Sequence, residues 1–165
     1  MRALSFWTLF LSTFLVYSQS ADHFDFWKNG KWESEITIYN NDTIPEKDSF
    51  IVRKLEGMNA FTENWKIFIG DGEYVDANVT RAFDKETNRW KLFYVDDLNA
   101  QLWDSQNVDG RLYFFKEFSY KGKKFYSRQT WIPQSDGSVV RIIERSEDNR
   151  EWRIRYWQLF KLISP

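Results

Sequence analysis

The chain has 165 residues, enough for one domain, and carries 23 basic against 24 acidic side chains, a net charge of −1. That balance gives no electrostatic draw toward nucleic acid or an anionic membrane surface. With no cysteine and His23 as the one histidine, disulfides and soft or borderline metal centres lack their ligands. A Ser-His-Asp triad would have to be built on His23.

In chain order, residues 3–17 are almost all apolar or small, preceded by Arg2 as the only charge before Asp22. This has the form of a signal peptide, residues 1–18, too short to span a bilayer comfortably. Cleavage is expected after Ser18, leaving Gln19 first, or as late as Ser20. An uncleaved anchor is the alternative. No cysteine follows to carry a lipid, and no later apolar stretch is long enough to span. The expected location is therefore secreted or periplasmic.

Next comes Phe24-Asp25-Phe26-Trp27, then Gly30-Lys31-Trp32. So many large aromatics make a poor surface loop. They suit a plug closing one end of a β-barrel, with Gly30 turning the chain into its first strand.

Beyond it, short runs rich in Ile, Val, Phe, Tyr, Trp and Thr alternate with turn signals, and no long 3.6-residue period appears. Strands are predicted near 31–40, 48–57, 60–69, 74–84, 89–96, 100–108, 111–120, 123–132, 138–147 and 151–162. All seven glycines fall at the edges of these runs, where they relieve turns without weakening strands. Asp109-Gly110, Lys121-Gly122 and Asp136-Gly137 read as tight hairpins, and Asp84–Asn88 as a longer polar loop. About ten strands joined this way form an antiparallel up-and-down meander, which most simply closes into a barrel and so removes its edges. A two-sheet sandwich is the alternative. No linker or repeat divides residues 22–163, so one domain is expected.

Alternation assigns faces. Trp32, Ser34, Ile36 and Ile38 share one, as do Phe61, Glu63, Trp65, Ile67 and Ile69. Trp90, Leu92 and Tyr94 oppose Lys91, Phe93 and Val95; Trp152, Ile154 and Tyr156 oppose Arg153 and Arg155. A slip of one residue would invert either of these last two.

Gly30-x-Trp32 after an aromatic opening resembles the start of lipocalin-like barrels, the calycin group. A closer likeness covers most of the chain. It is to a bacterial family of calycin-like barrels of unknown function that opens with Phe-Asp-Phe-Trp and Gly-x-Trp. Further segments match in order: Glu63-Asn64-Trp65, Phe83-Asp84 with Trp90, Arg128 with Thr130-Trp131, Pro133, Asp136-Gly137-Ser138 and Glu144-x-Ser146. Two departures stand out. Lys28-Asn29 is one residue longer than the family's spacing, and Gly57-Met58 stands where a cysteine is common. The resemblance implies a calycin-like barrel of about ten strands with a short N-terminal helical plug. It also implies that Trp32 lies under a basic residue of the last strand, Arg153 or Arg155. It brings no reaction and no cofactor. Haem-binding barrels of this kind use a late-strand histidine, absent here.

The remaining candidates are lumenal. Glu63 and Glu144 could act as acid or base if buried and unpaired, or form structural ion pairs with Arg128 or Arg141. Trp65, Trp90, Tyr94, Trp103, Trp131 and Tyr156 come from different strands and could line one cavity or simply fill a core. The candidate ligand-binding set is Glu63, Trp65, Trp90, Tyr94, Trp103, Arg128, Trp131, Glu144 and Tyr156. The structural plug is Phe24, Phe26, Trp27, Gly30 and Trp32, with no catalytic or metal-binding residue assigned. The leading expectation is an exported barrel that holds a small hydrophobic or amphipathic molecule without chemistry. The alternatives are an isomerase- or lyase-type enzyme using a lumenal Glu, and a protein- or carbohydrate-interaction module with exposed aromatics.

Overall fold

The computed structural model describes residues 19–165, the side chain of Tyr120 excepted, so the expected signal segment lies outside the described residues. Eleven strands form one antiparallel sheet. They are β1 (Gly30–Tyr39), β2 (Asp42–Ile44), β3 (Ser49–Lys54), β4 (Ala60–Gly70), β5 (Glu73–Asp84) and β6 (Arg89–Asp96). The rest are β7 (Ala100–Val108), β8 (Arg111–Tyr120), β9 (Lys123–Pro133), β10 (Val139–Ser146) and β11 (Arg153–Ser164). Each strand from β3 to β11 pairs with its sequence neighbour, β3 pairs with β1, and β11 pairs back onto β1. The result is a closed up-and-down barrel of ten strands; the three-residue β2 continues β3's place beside the far end of β1. The sandwich alternative is excluded by this closure.

Turn chemistry sets the register. In the β4–β5, β7–β8 and β8–β9 hairpins, Asp71-Gly72, Asp109-Gly110 and Lys121-Gly122 all have positive φ at both central positions, the twist that antiparallel hairpins favour. Gly30 is needed for a different reason. Its φ is +130°, and a Cβ there would collide with the Ser164 carbonyl oxygen and lie 2.7 Å from the Pro165 Cα, where β1 meets β11.

The aromatic opening closes one end of the barrel, but not as a helix. Residues 21–26 form successive tight turns, with the amides of His23, Asp25 and Trp27 donating to the carbonyls three residues earlier. No helix occurs among the described residues. A six-residue segment facing a ring of strands gains more from inserting Phe24 and Trp27 than from helical hydrogen bonds, whose nucleation is costly. Phe24 packs on Trp90 (4.9 Å between ring centroids), Phe61 (5.4 Å) and Phe114 (6.0 Å). Trp27 packs on Trp32 (4.7 Å), Trp131 (5.1 Å) and Phe50 (5.4 Å), while Phe26 lies half-buried against both. Ahead of them Gln19 is buried: its Oε1 accepts from the Trp90 amide (2.8 Å) and the Ser105 hydroxyl (2.7 Å).

Two bulges correct the expected faces. Between Ser34 and Ile36 the β1–β11 register shifts, so Ile36 is exposed and Thr37 buried, the reverse of uninterrupted alternation. Ile69 is likewise exposed, being the unpaired residue of the irregularity between Phe68 and Gly70. Among the described residues no basic side chain lies over Trp32. Its partner on β11 is Leu162, whereas Arg155 sits at the opposite end over Tyr39 (5.3 Å to the ring centroid). Trp32 is held instead by Trp27 and by its Nε1 donating to the Lys28 carbonyl (3.0 Å).

Candidate functional site

The interior is layered from the plug toward the open end. Above the plug, Trp131, Phe50 and Phe160 pack together and bury Trp65 against them, Phe50 and Trp65 stacking at 4.2 Å. Beside this layer Glu63 and Arg81 form a fully buried ion pair. Trp65 Nε1 donates to Glu63 Oε2 (2.6 Å). The Arg81 guanidinium is surrounded by the rings of Trp131, Phe114, Phe61 and Phe24 at 5.3–5.8 Å.

One layer higher lies a polar belt. Arg141 donates from Nε (3.3 Å) and Nη2 (3.1 Å) to Gln129 Oε1, and from Nη1 to Gln158 Oε1 (3.3 Å). Gln158 is itself buried and donates from Nε2 to Asp48 Oδ2 (2.7 Å). Asp48 accepts the Phe68 amide as well (2.7 Å). Arg141 also lies over Trp65 (4.8 Å) and Trp131 (5.2 Å). Among the described residues no carboxylate oxygen lies within 4 Å of Arg141. Burial pushes its guanidinium down to about 10, with the Asp48 carboxylate partly opposing. Arg81 is pushed down too, by burial and then by the positive charge of Arg141.

Above the belt is a cavity of about 400 Å³, within the range of small-molecule sites. Trp65, Trp103, Phe118, Tyr94 and Tyr156 supply its aromatic wall; Ile67, Val79, Leu92 and Ile143 its aliphatic one. Arg141, Arg81, Gln129, Gln101, Ser127 and Arg155 supply the polar groups, and none of the lining residues is acidic. Arg155 reaches the mouth because of a further bulge, between β10 and β11: Ile143 opposes Tyr156 and Glu144 opposes Ile154, leaving Arg155 as the extra residue. Its Nη2 donates to the Tyr39 hydroxyl (2.9 Å), and that bond lowers the Tyr39 phenol. Burial raises both lumenal phenols, Tyr94 and Tyr156; Tyr94 also donates to Asp96 Oδ2 (2.8 Å). A second depression, about 660 Å³, is an outer groove of mostly charged and polar residues between the β10–β11 turn and the end of β1, and Arg155 lines both it and the lumen.

Of the expected lumenal residues, Trp65, Tyr94, Trp103 and Tyr156 line the cavity. Trp90 and Trp131 do not. Trp90 belongs to the plug, its Nε1 donating to the Ser20 carbonyl (2.9 Å), and Trp131 lies in the layer below. Glu63 is spent on Arg81 and Trp65. Arg128 and Glu144 are not lumenal. Gln129 and Ser127 point inward on β9, so Arg128 between them faces out, where it grips Glu144 across the β9–β10 pair (2.6 Å). Tyr113 and Trp152 sandwich its guanidinium at 4.6 and 4.2 Å. An acid–base reaction run by Glu63 or Glu144 therefore has no unpaired carboxylate in the cavity. The sequence pattern did not single out Arg81 as the partner of Glu63; Arg141, expected as a partner of Glu63 or Glu144, instead binds Gln129 and Gln158, and Arg155, expected over Trp32, lines the mouth. Arg141 is visible in the pattern Val139-Arg141-Ile143, a charge flanked on its own face by apolar residues.

Fold and site define a closed antiparallel barrel, plugged at one end, with a small aromatic cavity whose lining holds three arginines and no acidic residue. No protein-family model matches the chain, and no curated protein matches it.

Proposed function

We propose that this chain is an exported, calycin-like barrel that holds one small amphipathic molecule in its lumen without acting on it chemically. The observation that carries the reading is the 400 Å³ cavity, where aromatic walls meet a few convergent polar groups on rigid strands. The ten-strand ring and the position of Gly30-x-Trp32 at the plugged end support the calycin likeness. The uncharged apolar stretch 3–17 behind Arg2 supports export. The test is titration with 8-anilino-1-naphthalenesulfonate, followed by dye fluorescence and native mass spectrometry. One molecule should bind per chain, and Ile143→Trp, which places an indole in the cavity mouth, should abolish binding in a protein that remains folded by circular dichroism. No binding, or binding indifferent to Ile143→Trp, would sink the lumenal reading.

A further inference from the structure

We infer that the lumen selects an amphipathic anion, an organic carboxylate or similar oxyanion on a flat apolar body, with its head on Arg141 and Arg155 guarding the entrance. The inference rests on the lumenal reading and adds the charge of the ligand to it.

Three observations converge. First, the positive charges of the cavity are unequally matched. Arg81 has Glu63 against it, whereas Arg141 and Arg155 have no carboxylate within 4 Å among the described residues. The nearest acid of the belt, Asp48, reaches Arg141 only through the Gln158 amide. Second, Arg141 has donors to spare. A guanidinium carries five N–H groups, and three are used, all on neutral amide oxygens at 3.1–3.3 Å, long for charge-assisted bonds. Third, Arg141 is half-buried, so its charge is only partly solvated, and no lining residue can supply the counter-charge. A ligand oxyanion would satisfy all three conditions, while Trp65, Trp103, Phe118 and the two tyrosines hold its apolar body. The planar fork of Arg suits bidentate carboxylate binding. Arg155, half-buried at the mouth and bonded to Tyr39, meets the anion on entry and lies on the same side of the lumen as Tyr156.

The test compares two probes with the same carbon body, 8-anilino-1-naphthalenesulfonate and the neutral N-phenyl-1-naphthylamine. On the wild-type protein the sulfonate should bind at least about tenfold tighter, the value of one charge-assisted hydrogen bond. Arg141→Met should remove about tenfold or more of the sulfonate affinity and leave the neutral probe unchanged or improved. Arg155→Gln, at the mouth and outside the core, should weaken the sulfonate several-fold while keeping the wild-type melting temperature. It carries the test if Arg141→Met does not fold. Naphthalene-2-carboxylate should displace the sulfonate and naphthalene-2-carboxamide should not. Equal affinities for the two dyes, or a sulfonate affinity that neither substitution moves, would overturn the anion assignment while leaving the lumen a binding site. Displacement by sodium sulfate, at an ionic strength where chloride has no effect, would assign the arginines to an inorganic ion and overturn it equally. If neither dye binds, the lumenal reading fails and this inference with it.

Discussion

The Glu63–Arg81 pair is the most consequential bond in the interior, and its removal has a calculable effect. Both side chains are essentially inaccessible, 0% and 1% exposed. The Arg81 charge is wrapped by four aromatic rings. Glu63→Gln leaves that charge without its counter-ion in a water-poor site, which costs about 3–5 kcal/mol for buried pairs. Arg81→Leu leaves the carboxylate stranded, relieved only by Trp65 Nε1, and should cost a similar amount. Replacing both, Glu63→Leu with Arg81→Leu, removes the two charges together. The remaining loss is chiefly the Trp65 hydrogen bond, about 1–2 kcal/mol, offset by the desolvation no longer incurred. Urea unfolding followed by tryptophan fluorescence reads these values. With a slope of about 2 kcal/mol per molar, each single substitution should lower the midpoint by about 1.5–2.5 M and the double by about 1 M or less. A Glu63→Gln cost below about 1 kcal/mol, or a double variant as unstable as the sum of the singles, would refute the claim that the pair is desolvated and coupled.

Two further outcomes test other parts of the structure. Gly30→Ala should cost about 2 kcal/mol or more, because a side chain there is both strained at positive φ and pressed onto the β11 backbone. Gly122→Ala, also at positive φ but facing open space, should cost distinctly less, and comparing the two melting temperatures checks the close approach. Burial lowers the His23 imidazole below its ordinary 6.5, so the unfolded chain binds its proton first on acidification. Stability from this group is therefore present above about pH 6.5 and lost as pH falls toward the lowered folded value. The unfolding midpoint should decline between pH 7.5 and 5.5, and His23→Asn should flatten that decline.

Strand positions were legible because two local signals agree: side-chain alternation inside each run and φ-positive turn residues between runs. The predicted and observed strands coincide within a few residues, and the plug aromatics are in the core. What escaped the sequence depends on the partner strand. The bulges at Ser34/Ile36 and Ile143/Glu144 are properties of a pairing, and they invert Ile36 and turn Arg155 into the mouth. Parity alone could have caught one error. Arg128 and Trp131 are three positions apart on one strand, so an unbroken strand cannot point both inward. The choice between cavity wall and packed layer was beyond reach. Trp65 and Trp131 have the same alternation signal, and only their height in the barrel, fixed by the shear of ten strands, separates them.

The seam between β1 and β11 has a kinetic consequence. All other neighbours in the ring can zip as hairpins or short-loop pairs, but Lys31 must find Ser164 and Tyr39 must find Tyr156, across nearly the whole length of the domain. Such contacts return their energy only after most of the chain has been ordered, which places ring closure late and makes folding slow. Until then two strand edges stay open to other chains, with no disulfide to hold the ends together. The twelve residues of β11 thus act as the latch of the molecule, and damage to them would expose both edges at once.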